Sequence, residues 1–220
     1  MGTKTLPANK LPALIGLILA LALGCLPWEH YLIGGDSMSA LLGREALFWA
    51  QGAFVLLWLR LVEKRPLASI GLRRPTWGTL GYGLLAALAL ILVFVVHFGF
   101  LVPHFHLDGA HAGAVRAGIL SRPLWYRVLL VLRAAVVEEI LYRGYLIEKV
   151  RDLSGSTILA VLVSVAAFTY AHLGGWGAVQ LIPVAAGGVI FALLYVWKRD
   201  LPSNMLAHFI TDGIGFLLGG

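Results

Sequence analysis

The chain has few of the residues that keep a soluble domain in water. Only 13% of its 220 residues are charged, whereas 60% are hydrophobic, and the mean hydropathy is +0.87. Soluble domains carry about 25% charged residues. The one cysteine, Cys25, excludes an intrachain disulfide. This composition argues against a soluble domain and predicts a protein that crosses a membrane several times.

A basic patch typical of nucleic-acid binding is also missing. The formal net charge is +6, but the Lys and Arg residues lie in short segments between apolar runs and are not interleaved with aromatic residues. We therefore expect no nucleic-acid partner. The expected surroundings are membrane lipids, and the basic residues instead indicate how the chain is oriented in the membrane.

Seven apolar runs approach or reach the length of a helical span. They cover residues 11–26, 46–62, 79–100, 124–147, 157–171, 178–197 and 203–218. About 20 residues are needed to cross the hydrocarbon core, so some of these runs are short. The sequence predicts an all-α protein, a polytopic transmembrane bundle of about seven helices.

Basic residues are distributed unequally between the segments that connect these runs. With the N-terminus in the cytoplasm, eleven Lys and Arg residues fall on the cytoplasmic side, four on the other side and two within the fourth run. Cytoplasmic loops are enriched in Lys and Arg. We therefore predict a cytoplasmic N-terminus, a prokaryotic inner membrane as the location, and a site that opens toward the cytoplasm.

Two adjacent carboxylates, Glu138 and Glu139, interrupt the fourth apolar run, and Arg143 follows them. Ionisable residues inside a membrane span are costly and are usually functional. On an α-helix Glu139 and Arg143 are neighbours that can form an ion pair, whereas Glu138 points about 100° away and is free for another task. A purely structural ion-pair network is the alternative, but such a network needs no second carboxylate.

Polar residues at helical spacing also mark the fifth and seventh runs. Phe168 and His172 are four residues apart near the end of the fifth run, and Asn204, His208 and Asp212 form one stripe on the seventh. Such a stripe faces protein or water, and helix–helix hydrogen bonding is its structural alternative. Three more histidines lie in a predicted external loop, where we expect exposed side chains without a metal site: His104, His106 and His111.

Taken in order, these patterns resemble the three motifs of the CaaX protease and bacteriocin-processing (CPBP) family of abortive-infection-type intramembrane proteases. The motifs are Glu138-Glu139-x-x-x-Arg143, Phe168-x-x-x-His172 and His208-x-x-x-Asp212. The resemblance covers roughly residues 124–220, and residues 71–75 look like the short basic element that often precedes this core. The third motif most often ends in Asn, and here it ends in Asp212.

The resemblance implies an intramembrane endopeptidase in which water attacks the peptide bond. Glu138 and His172 would bind and activate the water, and His208 would stabilise the oxyanion with Asp212 behind it. Glu139 and Arg143, together with Phe168 and Asn204, would support the site. Residues 1–110 would supply N-terminal helices and a basic interfacial loop, and residues 111–220 the catalytic core, in one integrated membrane domain.

Other chemistries and functions remain open. Zinc bound by Glu138, His172 and His208 is the rival to a glutamic protease without a cofactor, although no His-Glu-x-x-His motif occurs. A non-catalytic scaffold or immunity protein of the same family is an alternative, as is a proton-coupled transporter, which more often shows paired halves with broken helices. The expected substrate is a membrane-anchored protein or peptide.

Counting the helical rise from the cytoplasmic ends tests whether these side chains can meet. His208 lies about 9 Å deep, Glu138 about 15 Å and His172 about 24 Å. The three converge only if helices are tilted or if the fifth helix is short and begins deep in the membrane.

Overall fold

The computed structural model describes residues 10–218, and the secondary structure of this part of the chain is helical. In chain order the α-helices are α1 (Lys10–Cys25), α2 (Trp28–Leu32), α3 (Met38–Leu57), α4 (Trp77–Val96), α5 (Val102–His104), α6 (Ala110–Leu120), α7 (Leu124–Arg133), α8 (Ile147–Ser154), α9 (Thr157–Ala171), α10 (Leu173–Trp176), α11 (Ala178–Lys198) and α12 (Leu201–Phe216). The predicted all-α helical bundle is confirmed.

Stretches of π-helix continue three of these helices. They cover Trp58–Val62, His97–Leu101 and Ala134–Leu146, and a short 3-10 helix covers Leu67–Ile70. The longest π-helix joins α7 to α8, so one uninterrupted helical segment runs from Leu124 to Ser154. This segment extends seven residues beyond the predicted end of the fourth run at Ile147.

Four helical segments in the described part of the chain are long and apolar enough to cross a membrane. They are Met38–Val62, Trp77–His104, Thr157–Trp176 and Ala178–Lys198. Helix α1 is apolar but shorter, and the segment containing Glu138 carries several charges. The protein is therefore an integral membrane protein by composition and length, while the count of seven spans stays a prediction.

Helix α3 begins at Met38, eight residues before the predicted start of the second run at Ala46. The intervening residues include Arg44 and Glu45, which lowered the apparent hydropathy of the sequence. Both side chains are buried in the bundle, where other polar groups bind them. The predicted boundary was wrong because these charges have partners inside the protein.

The bundle has two ends that differ in their loops. The basic end carries residues 63–76, 155–156 and 199–200, and the opposite end carries residues 26–37, 105–123 and 172–177. Exposed tryptophans occur at both ends, Trp77 and Trp197 at the basic end and Trp28 and Trp125 at the other. Tryptophan prefers the two membrane–water interfaces, so these residues mark the levels at which the bundle meets the lipid headgroups.

Helix α12 begins inside the protein at the basic end. The backbone N–H of Leu201 donates to the carbonyl of Gly71 at 2.9 Å, and Leu201 is fully buried. Gly71 has φ +76, and a Cβ there would meet the Tyr195 ring and the backbone of Arg199. The close approach thus requires glycine. The contact with Gly71 places the first turn of α12 inside the bundle and not at its surface.

Candidate active site

Glu138 and His172 face each other at the side of a cavity. Oε2 of Glu138 lies 3.9 Å from Nε2 of His172, and both side chains are mostly buried, with 16% and 19% exposed. The other ring nitrogen, Nδ1, is 2.7 Å from the carbonyl oxygen of Phe168. A carbonyl only accepts hydrogen bonds, so Nδ1 donates, and Nε2 of the neutral ring is an acceptor directed at Glu138.

The two oxygens of Glu138 have different surroundings. Oε1 accepts a hydrogen bond from Arg133 at 2.9 Å, whereas Oε2 has no hydrogen-bond donor among residues 10–218 although it is buried. Buried carboxylate oxygens are normally satisfied. The free oxygen and Nε2 of His172 therefore form a pair of acceptors with space for a donor between them.

Arg133 connects Glu138 to a second buried carboxylate. Its Nε donates to Glu45 at 3.0 Å, and its guanidinium lies 4.2 Å from the centre of the Phe48 ring. The hydroxyl of Tyr126 also donates to Glu45, at 3.4 Å. Glu45 and the Phe48 ring thus fix the position of Arg133, which in turn binds Glu138. No role for Arg133 or Glu45 was predicted from the sequence, although a charged residue in or next to an apolar run was an available signal.

Glu139 is the centre of a hydrogen-bonded cluster on the next face of the same helix. Its Oε1 accepts hydrogen bonds from Arg143 and from Nδ1 of His208, each at 2.9 Å, and its Oε2 accepts from Asn204 at 3.3 Å. Glu139 and Arg143 are 0% exposed. The predicted ion pair is present. Arg143 also stacks on the Phe168 ring at 4.0 Å.

His208 and Asp212 are placed differently from the expectation. Asp212 does not lie behind the imidazole: its Oδ2 is 3.5 Å from Nε2, on the side of the ring that faces the cavity, and 25% of its side chain is exposed. Glu139 occupies the position behind the ring at Nδ1. The ring of His208 therefore lies between two carboxylates, and Glu139 orients it.

The π-helix explains how one helix serves both clusters. In π-helical geometry the repeating contact joins residues five apart, and such segments are frequent at functional sites. Arg133 and Glu138 are five apart and form an ion pair at 2.9 Å, next to the pair of Glu139 and Arg143, which are four apart. The four-residue spacing of an α-helix predicts the pair of Glu139 and Arg143 but not the pair of Arg133 and Glu138.

The side chains converge because two helical ends differ from the prediction. Glu138 lies sixteen residues before the end of α8 at Ser154, and His172 lies fifteen residues after the start of α9 at Thr157. Both side chains are therefore far from the basic end. His208 joins them because α12 starts below the surface, and the Phe168 ring lies between the two imidazoles, 4.5 Å from His172 and 6.4 Å from His208.

A cavity of about 1180 Å³ contains this site. Glu138, His172, His208 and Asp212 all line it, together with Arg133. Most of its other walls are apolar and come from α4, α6, α11 and α12. A cavity of this size and character can hold a peptide segment and its apolar side chains.

The cavity opens at the end of the bundle opposite the basic loops. Its outermost lining residues include Asp36, Val102, Arg116 and Trp176, and none of the lining residues belongs to residues 60–89 or 192–207. If the basic loops are cytoplasmic, the mouth cannot be. The expectation of a cytoplasmic opening was therefore inconsistent with the predicted orientation of the same chain.

The donor set does not form a metal centre in residues 10–218. No group of three His, Cys, Asp or Glu side chains within this range is arranged to hold a metal ion. Glu138 and His172 approach each other, but the nitrogens of His208 are directed at Glu139 and Asp212. In the external loop, Nε2 of His111 lies 3.2 Å from the carbonyl oxygen of Gly175, and the His104 ring stacks on Phe100 at 5.3 Å.

Comparison with known proteins adds an independent finding. A family model described as type II CAAX prenyl endopeptidase Rce1-like matches residues 120–214, a segment that contains the whole site. An uncharacterized protein of Bacillus subtilis (strain 168), YpbD, is 29% identical over 133 residues, which are 60% of this chain and 65% of that protein. No solved structure matches the chain significantly. Over residues 120–214 the chain thus resembles the Rce1-like CAAX endopeptidases, and the family resemblance inferred from its three motifs is confirmed.

Proposed function

We propose that the protein is an intramembrane endopeptidase that cleaves a membrane-anchored protein or peptide with a water molecule activated by Glu138 and His172. The observation that carries this proposal is the pair of acceptors at 3.9 Å, one of them a buried carboxylate oxygen without a donor. One water molecule can donate a hydrogen bond to each, at about 2.8 Å. The family match over residues 120–214 supports the same activity.

In the proposed reaction Glu138 is the general base. As the water oxygen bonds to the carbonyl carbon, Oε2 of Glu138 takes a proton, and the carbonyl electrons move to the carbonyl oxygen. Glu138 then gives the proton to the leaving nitrogen, and the C–N bond breaks to leave a carboxylic acid and an amine, which exchange the remaining water proton to become a carboxylate and an ammonium. His172 holds the water, since its Nδ1 is fixed by the carbonyl of Phe168.

His208 is the proposed donor to the tetrahedral oxyanion. Two carboxylates face its ring, and a ring protonated on both nitrogens donates to each. The contact of Nε2 with Asp212 is long, at 3.5 Å, and lies at the cavity wall. Nε2–H is therefore able to turn from Asp212 to an oxyanion, while Glu139 keeps the ring in place.

Arg133 is a positioning residue in this proposal. It binds Oε1 of Glu138 and so directs Oε2 toward His172, and Glu45 compensates its charge. The mechanism requires no cofactor. We propose a prokaryotic inner membrane with a cytoplasmic N-terminus as the location; the bacterial origin of YpbD and the unequal distribution of basic residues support it.

The test is cleavage of a quenched library of membrane-tethered peptides by the purified protein in detergent, with and without a chelator. Wild type should cleave, and the variants Glu138→Gln and His172→Ala should not. Asp152→Asn, a change at the basic end far from the cavity, should behave as wild type. Cleavage that survives the chelator supports the glutamic mechanism, whereas loss of cleavage that zinc restores would overturn it. Equal cleavage by wild type and all variants would contradict the assignment of the active site to Glu138 and His172.

A further inference from the structure

The approach to the site is limited to one end of the bundle. Apart from the parts of α7, the long π-helix and α9 that form the site, the lining of the cavity comes chiefly from the first half of α3, the second half of α4, α6, the first two thirds of α11 and the second half of α12. All of these stretches lie toward the end that carries residues 26–37, 105–123 and 172–177. A substrate that reaches Glu138 through this cavity therefore arrives from that end.

The protein is closed between the site and the basic end. Arg143, Tyr195, Ile147 and Leu201 are 0% exposed and lie on the basic side of Glu139. Helix α12 fits closely here, because a Cβ on Gly144 would be 3.0 Å from the Leu201 side chain and 3.1 Å from the Ile70 carbonyl oxygen. Packing at this density leaves no passage for a peptide.

Ion pairs add to this closure. Lys149 is fully buried and binds Glu63, and Glu148 binds both Arg151 and Arg199. Charged groups with partners of this kind form a fixed layer, since separating them would leave uncompensated charge in the protein. Among residues 10–218, no side chain of this charged layer lines the cavity that contains the site.

The distribution of Lys and Arg assigns a side of the membrane to each end. In residues 10–218, ten Lys and Arg residues lie at the basic end: Lys10, Arg60, Lys64, Arg65, Arg73, Arg74, Lys149, Arg151, Lys198 and Arg199. Four lie toward the other end: Arg44, Arg116, Arg122 and Arg127. The end rich in Lys and Arg is normally cytoplasmic. The mouth of the cavity then faces the non-cytoplasmic side.

From these observations we infer that the site acts on exported substrate. The substrate class is a membrane-anchored peptide whose cleavable segment has already crossed the membrane and enters the cavity from the non-cytoplasmic face. This inference rests on the proposed function. The apolar cavity walls formed by Ile91 and Phe94 of α4 and by Phe98 of the π-helix that continues it match the apolar residues that border a membrane anchor.

The side of the mouth is tested by labelling single cysteines. Cys25→Ser removes the one native cysteine, and three cysteines are then introduced separately. Val115→Cys is on the cavity wall of α6, Ala114→Cys is on its exposed face, and Ala68→Cys is exposed at the basic end. A membrane-impermeant maleimide is added to intact bacterial spheroplasts and to inside-out vesicles.

We expect Ala114→Cys and Val115→Cys to be labelled at least tenfold more in spheroplasts, and Ala68→Cys at least tenfold more in inside-out vesicles. The opposite pattern would overturn the inference. Equal labelling of Val115→Cys in both preparations would also overturn it, because the cavity would then be open to both sides.

The side of cleavage is tested with a tethered peptide that the purified protein cuts. The peptide is added to the same two preparations, and cleavage should occur in spheroplasts only. Cleavage in inside-out vesicles only would overturn the inference and leave the proposed function intact. A third outcome is the expected labelling pattern with no cleavage of any peptide, either by the purified protein or in the two preparations. That outcome would overturn the proposed function and leave the position of the mouth established.

Discussion

The two halves of the bundle use their charged side chains differently. Toward the basic end, Lys149 binds Glu63 and Glu148 binds Arg151 and Arg199, so each buried charge has a partner of opposite sign. In the half that contains the cavity, Oε2 of Glu138 is buried without a donor. Separating a buried pair of opposite charges is costly, whereas a carboxylate oxygen without a donor next to an imidazole is available for proton transfer.

The same contrast separates two adjacent residues. Glu139 binds Arg143, His208 and Asn204 and is 0% exposed, whereas Glu138 binds Arg133 and faces the cavity. Neighbours on one helix can thus have opposite roles, one structural and one chemical. The difference between Glu138 and Glu139 can be tested by substitutions that change activity but not stability, or stability but not activity.

The largest expected effect is on activity at Glu138. Glu138→Gln keeps the size of the side chain and removes the general base, so cleavage should fall by roughly 10²–10⁴-fold. The thermal unfolding temperature in detergent should change little, because one hydrogen bond from Arg133 can still be accepted. Initial rates of cleavage and thermal unfolding of the same preparation check both statements. A variant with wild-type rates would show that Glu138 is not the base.

Glu139→Gln should have the opposite effect, because it should lower the stability of the protein more than Glu138→Gln does. The substitution leaves Arg143 buried without its counter-ion, which costs about 3–5 kcal/mol in unfolding free energy. Denaturant or thermal unfolding measures the loss. The double variant Glu139→Gln, Arg143→Gln should lose less than the sum of the two single variants, because no unpaired charge remains. Additive losses would argue against the pair.

An intermediate effect on activity is expected at Arg133, which binds both the proposed base Glu138 and the buried Glu45. Arg133→Gln removes hydrogen bonds to two carboxylates, Glu138 and Glu45. Loss of the bond to Glu138, worth about 1.5–3 kcal/mol, should lower kcat roughly ten- to hundredfold while KM changes much less, and the unpaired Glu45 should lower stability as well. Arg133→Lys should recover part of kcat, since it restores the charge beside Glu138 but lacks the planar guanidinium that binds Glu45 and Glu138 through separate nitrogens. Equal changes of kcat and KM would instead indicate a general loss of cavity shape.

The smallest effect is expected at the basic end. Asp152 binds Arg65, and both side chains are about one-third exposed; exposed ion pairs contribute about 1 kcal/mol or less. Asp152 also lies 3.7 Å from the ammonium group of the buried Lys149, which keeps Glu63 as its partner when Asp152 is changed. Asp152→Asn should therefore leave cleavage unchanged and lower the unfolding free energy by no more than this amount. Comparison of its melting curve with that of Glu139→Gln contrasts an exposed charge pair with a buried one. A large loss of activity would show that the two ends are coupled.

Much of the site was predictable from local spacing. Glu139 and Arg143, four residues apart, form the expected ion pair, and the stripe of Asn204, His208 and Asp212 faces the interior of the bundle. Such regularities depend only on helical geometry. The membrane class followed from composition in the same way, because the amount of apolar sequence exceeds what a soluble core can bury.

Other features depend on tertiary structure and could not be derived. The pair of Arg133 and Glu138 requires a π-helix, which the sequence does not reveal. Glu45 belongs to the site because α3 extends through charges that lower its hydropathy, and the partner of that charge is 88 residues away in the chain. The depth of α12 depends on contact with Gly71, and the position of the mouth depends on which parts of the helices line the cavity.

The closed layer beneath the site also has a consequence for the cell. A deep cavity that contains charged groups is a potential leak for protons and ions, which would dissipate the membrane potential. Here the packed residues Tyr195, Ile147 and Leu201 separate the cavity from the basic end, and transfer of a charge through such a region is energetically costly. The bilayer can therefore keep its electrical insulation while a hydrated site lies within it.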